Sequence, residues 1–256
     1  MRRQPFVAGN WKMNGGLAAN AALLKALLQG LGAADAVEVA ICVPYPYLDQ
    51  VSRLLRDTPI TLGAQDLSPH TAGAHTGEVS AFMLADFDCR YVIVGHSERR
   101  ISHHESDDLV AEKFGAARAA GMIPVLCLGE TLEERRADAT LEVVFRQLDA
   151  VLSRHGVTAL AEAVLAYEPV WAIGAGRTAK PEEAGIVHRA LRQRVAKEDL
   201  AAAADLRIIY GGSVKADNAA ALFAQPDIDG GLVGGASLDA DEFLAICRAG
   251  FGKRTT

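Results

Sequence analysis

At 256 residues, half of them hydrophobic and 23% charged, the chain can bury a sizeable core; 24 glycines against 9 prolines exclude collagen-like, disordered and low-complexity classes. The formal charge of −6 offers no basic footprint for nucleic acid or an anionic membrane, so any attraction for an anionic substrate has to be built locally. Cys42, Cys89, Cys127 and Cys247 are far apart and lack metal-ligand spacing, the pattern of reduced, packed thiols. Met1-Arg2-Arg3 is basic, but the short run after it is too brief and polar for a signal-peptide core, and no stretch is long enough to cross a bilayer. These features predict a cytoplasmic protein without membrane or nucleic-acid partners.

Along the chain, short apolar or β-branched runs alternate with longer segments of helical period. The first run covers 6–12 and is followed by Leu17, Leu24, Leu27, Leu28 and Leu31 on one expected helical face. Further runs cover 37–45, 60–66, 91–97, 123–129, 163–170, 207–214 and 230–237, each with an amphipathic stretch after it. Near-continuous apolar strands between helices imply a parallel sheet, as a barrel or a doubly wound layer. The first run leads into Asn10-Trp11-Lys12-Met13-Asn14-Gly15-Gly16, not into a dinucleotide-binding glycine turn. Eight units in about 250 residues is the arithmetic of an α/β protein of the (β/α)8 class, a parallel eight-stranded barrel with outer helices. No linker or shift of composition divides the chain, which predicts one domain over 1–256.

In such a barrel the site forms at the carboxyl ends of the strands, so polar residues there carry most weight. The first run ends in Asn10 and Lys12, the fourth in His96, the sixth in Glu168, and the seventh and eighth in Gly212-Ser213 and Gly234-Gly235. Taken singly, each has a bland reading: a solvated lysine, a hydrogen-bonded histidine, a turn carboxylate, plain glycine turns. The unit count puts all of them on one rim, where a cation, an imidazole, a carboxylate and two glycine turns converge. Glycine lets backbone N–H groups approach an anion closely, and barrels often build a phosphate site after the last two strands. The segment from Ile173 to Thr178 lacks the lysine and hydroxyl of a nucleotide loop and reads as a lid, with Pro169 stiffening its start.

Seven strings then match one family in register: Val7 to Asn14, Gly63-Ala64-Gln65, Thr76 to Ser80, Gly95 to Arg100, Cys127 to Thr131, Ala166 to Gly174 and Tyr210 to Val214. From end to end the chain resembles triosephosphate isomerase, which implies a TIM barrel, a homodimer and no cofactor or metal. The implied reaction interconverts dihydroxyacetone phosphate and D-glyceraldehyde 3-phosphate through an enediolate, a step of glycolysis and gluconeogenesis. By this resemblance Glu168 is the base, His96 a neutral donor to the substrate oxygen, and Lys12 the fixed positive charge. Asn10 assists at the same oxygen, and Glu98 holds the lysine and histidine in place. Gly174, Ser213, Gly234 and Gly235 would grip the phosphate. The implied lid runs from Pro169 to Ala179 through Ala175, Gly176 and Arg177, with Trp171 swinging towards Glu130, and Tyr210 and Ser213 latching it.

Ala175 stands where threonine is commoner and Arg177 replaces a lysine, which implies altered opening rates with intact chemistry. The segment Asp66 to Ser80 resembles the loop that enters a partner subunit, so Gln65, His75 and Thr76 are implied at a dimer interface. Asp66, His75 and His103 depart from the asparagine and aromatic residues often found there. An isomerase of a four-carbon ketose phosphate is the nearest rival, and a Schiff-base aldolase is disfavoured because the sixth run carries Glu168 where a lysine would be needed.

Overall fold

All eight apolar runs become parallel strands of one closed barrel in the order β1 to β8. The computed structural model describes residues 3–31, 37–173 and 178–251. The strands are β1 (Phe6–Asn10), β2 (Glu38–Val43), β3 (Ile60–Ala64), β4 (Tyr91–Val94), β5 (Ile123–Leu128), β6 (Val164–Tyr167), β7 (Arg207–Tyr210) and β8 (Gly230–Val233). Between and after them lie α1 (Leu17–Gly30), α2 (Leu48–Leu55), α3 (Ala81–Ala85), α4 (Ser97–Ser102), α5 (Asp107–Ala119) and α6 (Leu132–Arg136). The outer ring is completed by α7 (Thr140–His155), α8 (Pro181–Ala196), α9 (Leu200–Asp205), α10 (Ala219–Phe223) and α11 (Ala240–Phe251). Closure is carried by β1, whose Val7 pairs with Val39 on one side and Gly231 on the other. The strands stop short of the runs, because the polar residues that end each run leave the ladder and form the loops of the carboxyl-end rim.

Alternation along the strands separates two apolar layers. Phe6, Ala8, Ala40, Cys42, Tyr91, Ile93, Val125, Cys127, Val164, Ala166, Ile209 and Leu232 pack together inside the barrel. Val7, Val39, Val92, Leu126, Leu165, Tyr167, Ile208 and Tyr210 belong to the larger layer beneath the helices. Continued along the chain, the same two-residue period puts Asn10 and Glu168 on the inward-facing set, and both are buried at the upper mouth. At the amino ends, Glu38 and Arg207 fall on that set too: Arg207 Nη1 donates to Glu38 Oε2 at 2.6 Å and Nη2 to the Tyr91 hydroxyl at 3.1 Å. This network seals the floor with its polar groups paired, as burial demands.

The first helix differs from the sequence pattern at its start. Leu24, Leu27 and Leu31 are buried, but Leu17 is 64% exposed and Asn20 is buried on the inner side of its turn. Asn20 Oδ1 accepts the Gly16 N–H at 3.1 Å while its amide donates to Gln50 at 3.1 Å, so a polar clamp to α2 replaces apolar packing at the helix entry. All four cysteines are free and buried.

The backbone around Glu168 is fixed by close packing of β5 against β6. A Cβ on Gly129 would lie 1.7 Å from the Glu168 carbonyl oxygen. Gln147 of α7 clamps that glycine, accepting its N–H at 2.8 Å and donating to its carbonyl at 3.2 Å. Replacing Gly129 by Ala must therefore displace Glu168. The Gly129→Ala variant is expected to lose about 3 kcal/mol of stability, at the upper end of overpacking costs, and most of its turnover; urea unfolding and steady-state rates check this, and an unchanged midpoint would contradict it.

Candidate active site

Where β1 ends, Asn10 Oδ1 accepts the Lys12 N–H at 3.0 Å, turning the chain sharply. Lys12 takes a left-handed backbone conformation with φ of 52°, uncommon for a residue with a side chain. Gln65, just beyond β3, supports it by donating from Nε2 to the carbonyls of Lys12 and Cys42, each at 3.0 Å. The turn directs the Lys12 ammonium over the mouth, where it pairs with the Glu98 carboxylate.

Beyond β4, His96 forms the amino-terminal cap of α4, its Nδ1 accepting the Glu98 N–H at 3.2 Å. A nitrogen that accepts from a backbone amide carries no hydrogen, so this contact assigns a neutral ring protonated at Nε2. Nε2 lies 3.0 Å from Glu168 Oε1, yet that oxygen has no well-aligned donor. The other carboxylate oxygen accepts the Ser97 N–H at 2.9 Å.

Burial by itself would raise the Glu168 pKa; the facing His96 ring, the Ser97 N–H and Lys12 outweigh it and hold the carboxyl below its usual range. Burial likewise disfavours the His96 imidazolium, but the facing Glu168 carboxylate, with help from Glu98, lifts the His96 pKa overall. That lift lasts only while the carboxylate faces the ring. Anything that separates the two leaves a neutral imidazole offering an Nε2–H.

Asn10, Lys12, His96 and Glu168 line a cavity of about 280 Å³ together with Ile173, Ser213, Gly234 and Gly235. The turns after β7 and β8 are held by their own neighbours. Asn218 donates to the Ser213 carbonyl at 3.1 Å, and the Ser237 hydroxyl donates to the Gly234 carbonyl at 2.7 Å. Gly235 opens a short 3-10 helix, Gly235–Leu238, at the cavity wall.

The segment expected to act as a lid begins with Pro169 and a 3-10 turn, Val170–Ala172. Trp171 Nε1 donates to Glu130 Oε1 at 2.9 Å, and the Tyr167 hydroxyl donates to the same carboxylate. The Arg135 guanidinium stacks over the Trp171 ring, 4.4 Å from its centroid, and joins Glu183 of α8 at 2.9 Å. Gly174, Ala175, Gly176 and Arg177 lie outside the described residues. Ala179 and Tyr210 are buried at the far end of the segment.

The residues expected at a partner interface divide. His75 and Thr76 are exposed on the long loop after β3, whereas Gln65 works inside its own chain beneath Lys12. Asp66 is nearly buried, accepting both the Lys113 ammonium at 2.7 Å and the Arg99 guanidinium at 2.8 Å. His103 follows α4 on the surface.

Several contributors escape a reading of sequence alone. Ser97 was findable, since the first residue of a helix after a strand end has a free backbone N–H. Arg135, Gln147 and Asn218 act through tertiary contacts that no local pattern announces. Together the described groups can move a proton: an ionised base, a neutral donor and a fixed cation surround a cavity with glycine turns suited to an anion.

The family model for triosephosphate isomerase matches residues 5–250. A triosephosphate isomerase of Thiobacillus denitrificans is 61% identical over 247 residues, covering 96% of this chain and 98% of the relative. That of Bordetella pertussis is 59% identical with the same coverage, and that of Dechloromonas aromatica is 58% identical over 96% of this chain and 99% of its own length. The chain belongs to the triosephosphate isomerase family.

Proposed function

We propose that the protein interconverts dihydroxyacetone phosphate and D-glyceraldehyde 3-phosphate by proton transfer between adjacent carbons, with 1–256 acting as one barrel domain. The observation that carries this reading is the meeting of Glu168, His96 and Lys12 in one cavity with Ser213 and the Gly234-Gly235 turn. Glu168 takes the proton from the carbon next to the carbonyl, and the C–H electrons move onto the carbonyl oxygen to give an enediolate. His96 donates its Nε2–H to that oxygen, while Asn10 and Lys12 stabilise the growing negative charge. Glu168 then returns the proton to the neighbouring carbon while the other hydroxyl gives its proton back to His96 Nε2 and becomes the new carbonyl, which completes the exchange.

The substrate oxygen and Glu168 compete for His96 Nε2, so productive binding has to move the carboxylate off the imidazole. Backbone N–H groups at Ser213, Gly234 and Gly235, joined by Gly174 from the lid, hold the phosphate. Closure of 169–179 then excludes water and protects the enediolate, with binding of the remote phosphate offsetting the cost of closing. Replacing Glu168 by Gln keeps the shape and removes the base. Turnover in a coupled assay is expected to fall by about 10²–10⁴-fold, with affinity for a phosphorylated carboxylate inhibitor little changed; retained turnover would sink the assignment.

The pH response follows from the same pair. A carboxylic base with a depressed pKa stays ionised until pH falls through that lowered value, so activity is lost on the acid side only. In His96→Gln the largest lowering influence on Glu168 in the free enzyme disappears and burial dominates, so the acid limb of kcat/KM is expected to move to higher pH. A limb that stays in place, or moves lower, contradicts the coupling.

We further propose that the chain acts as a homodimer in the cytoplasm, with the loop 66–80 entering the partner near Asn10 and Thr76 closest to it. Support comes from apolar side chains left exposed around the loops that follow β1, β3 and β4: Met13 at 96%, Leu17 at 64%, Phe82 at 52% and Ile101 at 58%. The ionic cluster of Asp66, Arg99, Glu105 and Lys113 stiffens the base of that loop. Among the described residues no helix is long and apolar enough to cross a membrane. Sedimentation equilibrium should give twice the chain mass, and Met13→Asp should give the single-chain mass with reduced turnover. A fully active single chain before substitution refutes the dimer.

A further inference from the structure

The His96 imidazole can act on a substrate oxygen only if the backbone beneath it is held still, and that backbone has just left the sheet. Val94 pairs with Leu126 in the last rung between β4 and β5. Gly95 then turns away in a left-handed conformation with φ of 69°, while β5 runs on to Leu128 beside β6. The Leu128 carbonyl accepts the Glu168 N–H at 2.7 Å on the β6 side. Successive residues of a central parallel strand bond to opposite neighbours, so the buried Cys127 carbonyl is aimed at the gap that β4 vacates. A carbonyl left in that gap needs a donor.

Arg100 of α4 supplies it. Its Nε donates to the Gly95 carbonyl at 2.8 Å and its Nη2 to the Cys127 carbonyl at 3.4 Å, so one guanidinium bridges the first step beyond the ladder. Helical side chains lean towards the amino end of their helix, and Arg100 leans back over the peptide that leads into His96. The peptide on the other side of His96 is held by α4 itself, whose Arg99 and Arg100 N–H groups donate to the His96 carbonyl at 2.8 and 3.1 Å. The guanidinium is anchored in turn. Nη1 donates to Asp107 Oδ1 at 2.6 Å, and Arg146 of α7 donates to the other oxygen of that carboxylate at 3.0 Å. A Cβ on Gly95 would lie 3.0 Å from Arg100 Nη2 and 2.7 Å from Val110 Cγ1, so the space beside Gly95 is already taken. Arg100 is 15% exposed and does not line the cavity.

We propose that Arg100 is a positioning residue for the proton transfer: by tying the Gly95 carbonyl to β5 at Cys127, with Asp107 as its anchor, it sets where the His96 Nε2–H stands over the cavity. This rests on the isomerase reading of the site. A guanidinium suits the task because its planar fork reaches two carbonyls and a carboxylate at once in fixed directions. A lysine ammonium keeps the charge but has neither the plane nor the spread of donors. The position matters because a displacement of about 1 Å at a catalytic group can cost about 10²-fold in rate.

The test is a double-mutant cycle on kcat for D-glyceraldehyde 3-phosphate, using the full chain. Arg100→Lys, which preserves the charge, is expected to lower kcat by about ten- to a hundredfold, the worth of one charge-assisted hydrogen bond. KM is expected to stay within about twofold, because the imidazole acts in the transition state and the phosphate is gripped elsewhere. In a His96→Ala background there is no ring to place, so the same substitution is expected to cause no further loss. Losses that multiply in the double variant, an unchanged kcat in Arg100→Lys with only stability reduced, or a loss confined to KM would each overturn the proposal. If Arg100→Lys does not fold, Asp107→Asn decides, since it keeps the shape of the anchor and removes its charge. It is expected to lower kcat by about three- to tenfold, again with no further loss in the His96→Ala background; an unchanged kcat or multiplying losses overturn the proposal. Failure of the isomerase reading is distinct, since the unsubstituted chain would then leave triose phosphates untouched and the role of Arg100 would fall with it.

Discussion

An ionised carboxylate that is 1% exposed has lost nearly all of its hydration, a cost on the order of several kcal/mol unless other groups replace the water. At Glu168 the replacements are the His96 ring, the Ser97 N–H and, at longer range, the Lys12 ammonium. His96 and Ser97 follow β4 and Lys12 follows β1, so the carboxylate beyond β6 can stay charged only if the barrel brings β1, β4 and β6 to one mouth in the right rotation. The arrangement leaves one oxygen well bonded and the other merely close to Nε2. A base in that condition is charged, dry and weakly restrained, and a substrate oxygen competing for the same imidazole can release it.

The scaffold meets this demand mostly with groups behind the cavity wall. Gln147 and Gly129 set the Glu168 backbone from the β5 side, where no Cβ fits. Gln65 and Asn10 hold Lys12 in a backbone conformation that costs free energy, of order 1–3 kcal/mol for such a residue. These supports are hydrogen bonds to backbone, which fix position more sharply than apolar packing does. Precision at the rim therefore comes from amide and carboxamide contacts just behind it, whereas the apolar layers secure the barrel as a whole.

What the sequence discloses follows the same division. Strand number, order and the rim position of Asn10, Lys12, His96 and Glu168 are legible because they depend on period and count, which are local properties of the chain. The start of α1 is not legible, since Asn20 is buried by a partner, Gln50, on another helix. The roles of Asp66 and Gln65 are equally hidden. An aspartate beside a loop reads as a surface residue until Lys113 and Arg99, from α5 and α4, are seen to close on it. Arg135 and His188 lie in ordinary helical stretches, and only the folded chain puts one over Trp171 and the other between two tyrosines.

Alternation along β6 and β7 gives the two faces of the barrel wall different work. Inward residues, with Glu168 continuing their period, supply charge and proton transfer. Outward residues at the same height, Tyr167 and Tyr210, face the helices, and Tyr167 shares the Glu130 carboxylate with Trp171. One residue step along the chain therefore separates Glu168 from Tyr167, and no rigid shift of that strand end can move one without the other. The pleat of the sheet itself thereby ties Glu168 to the contact of Tyr167 with Glu130 and Trp171, with no need for a path of contacts through the core.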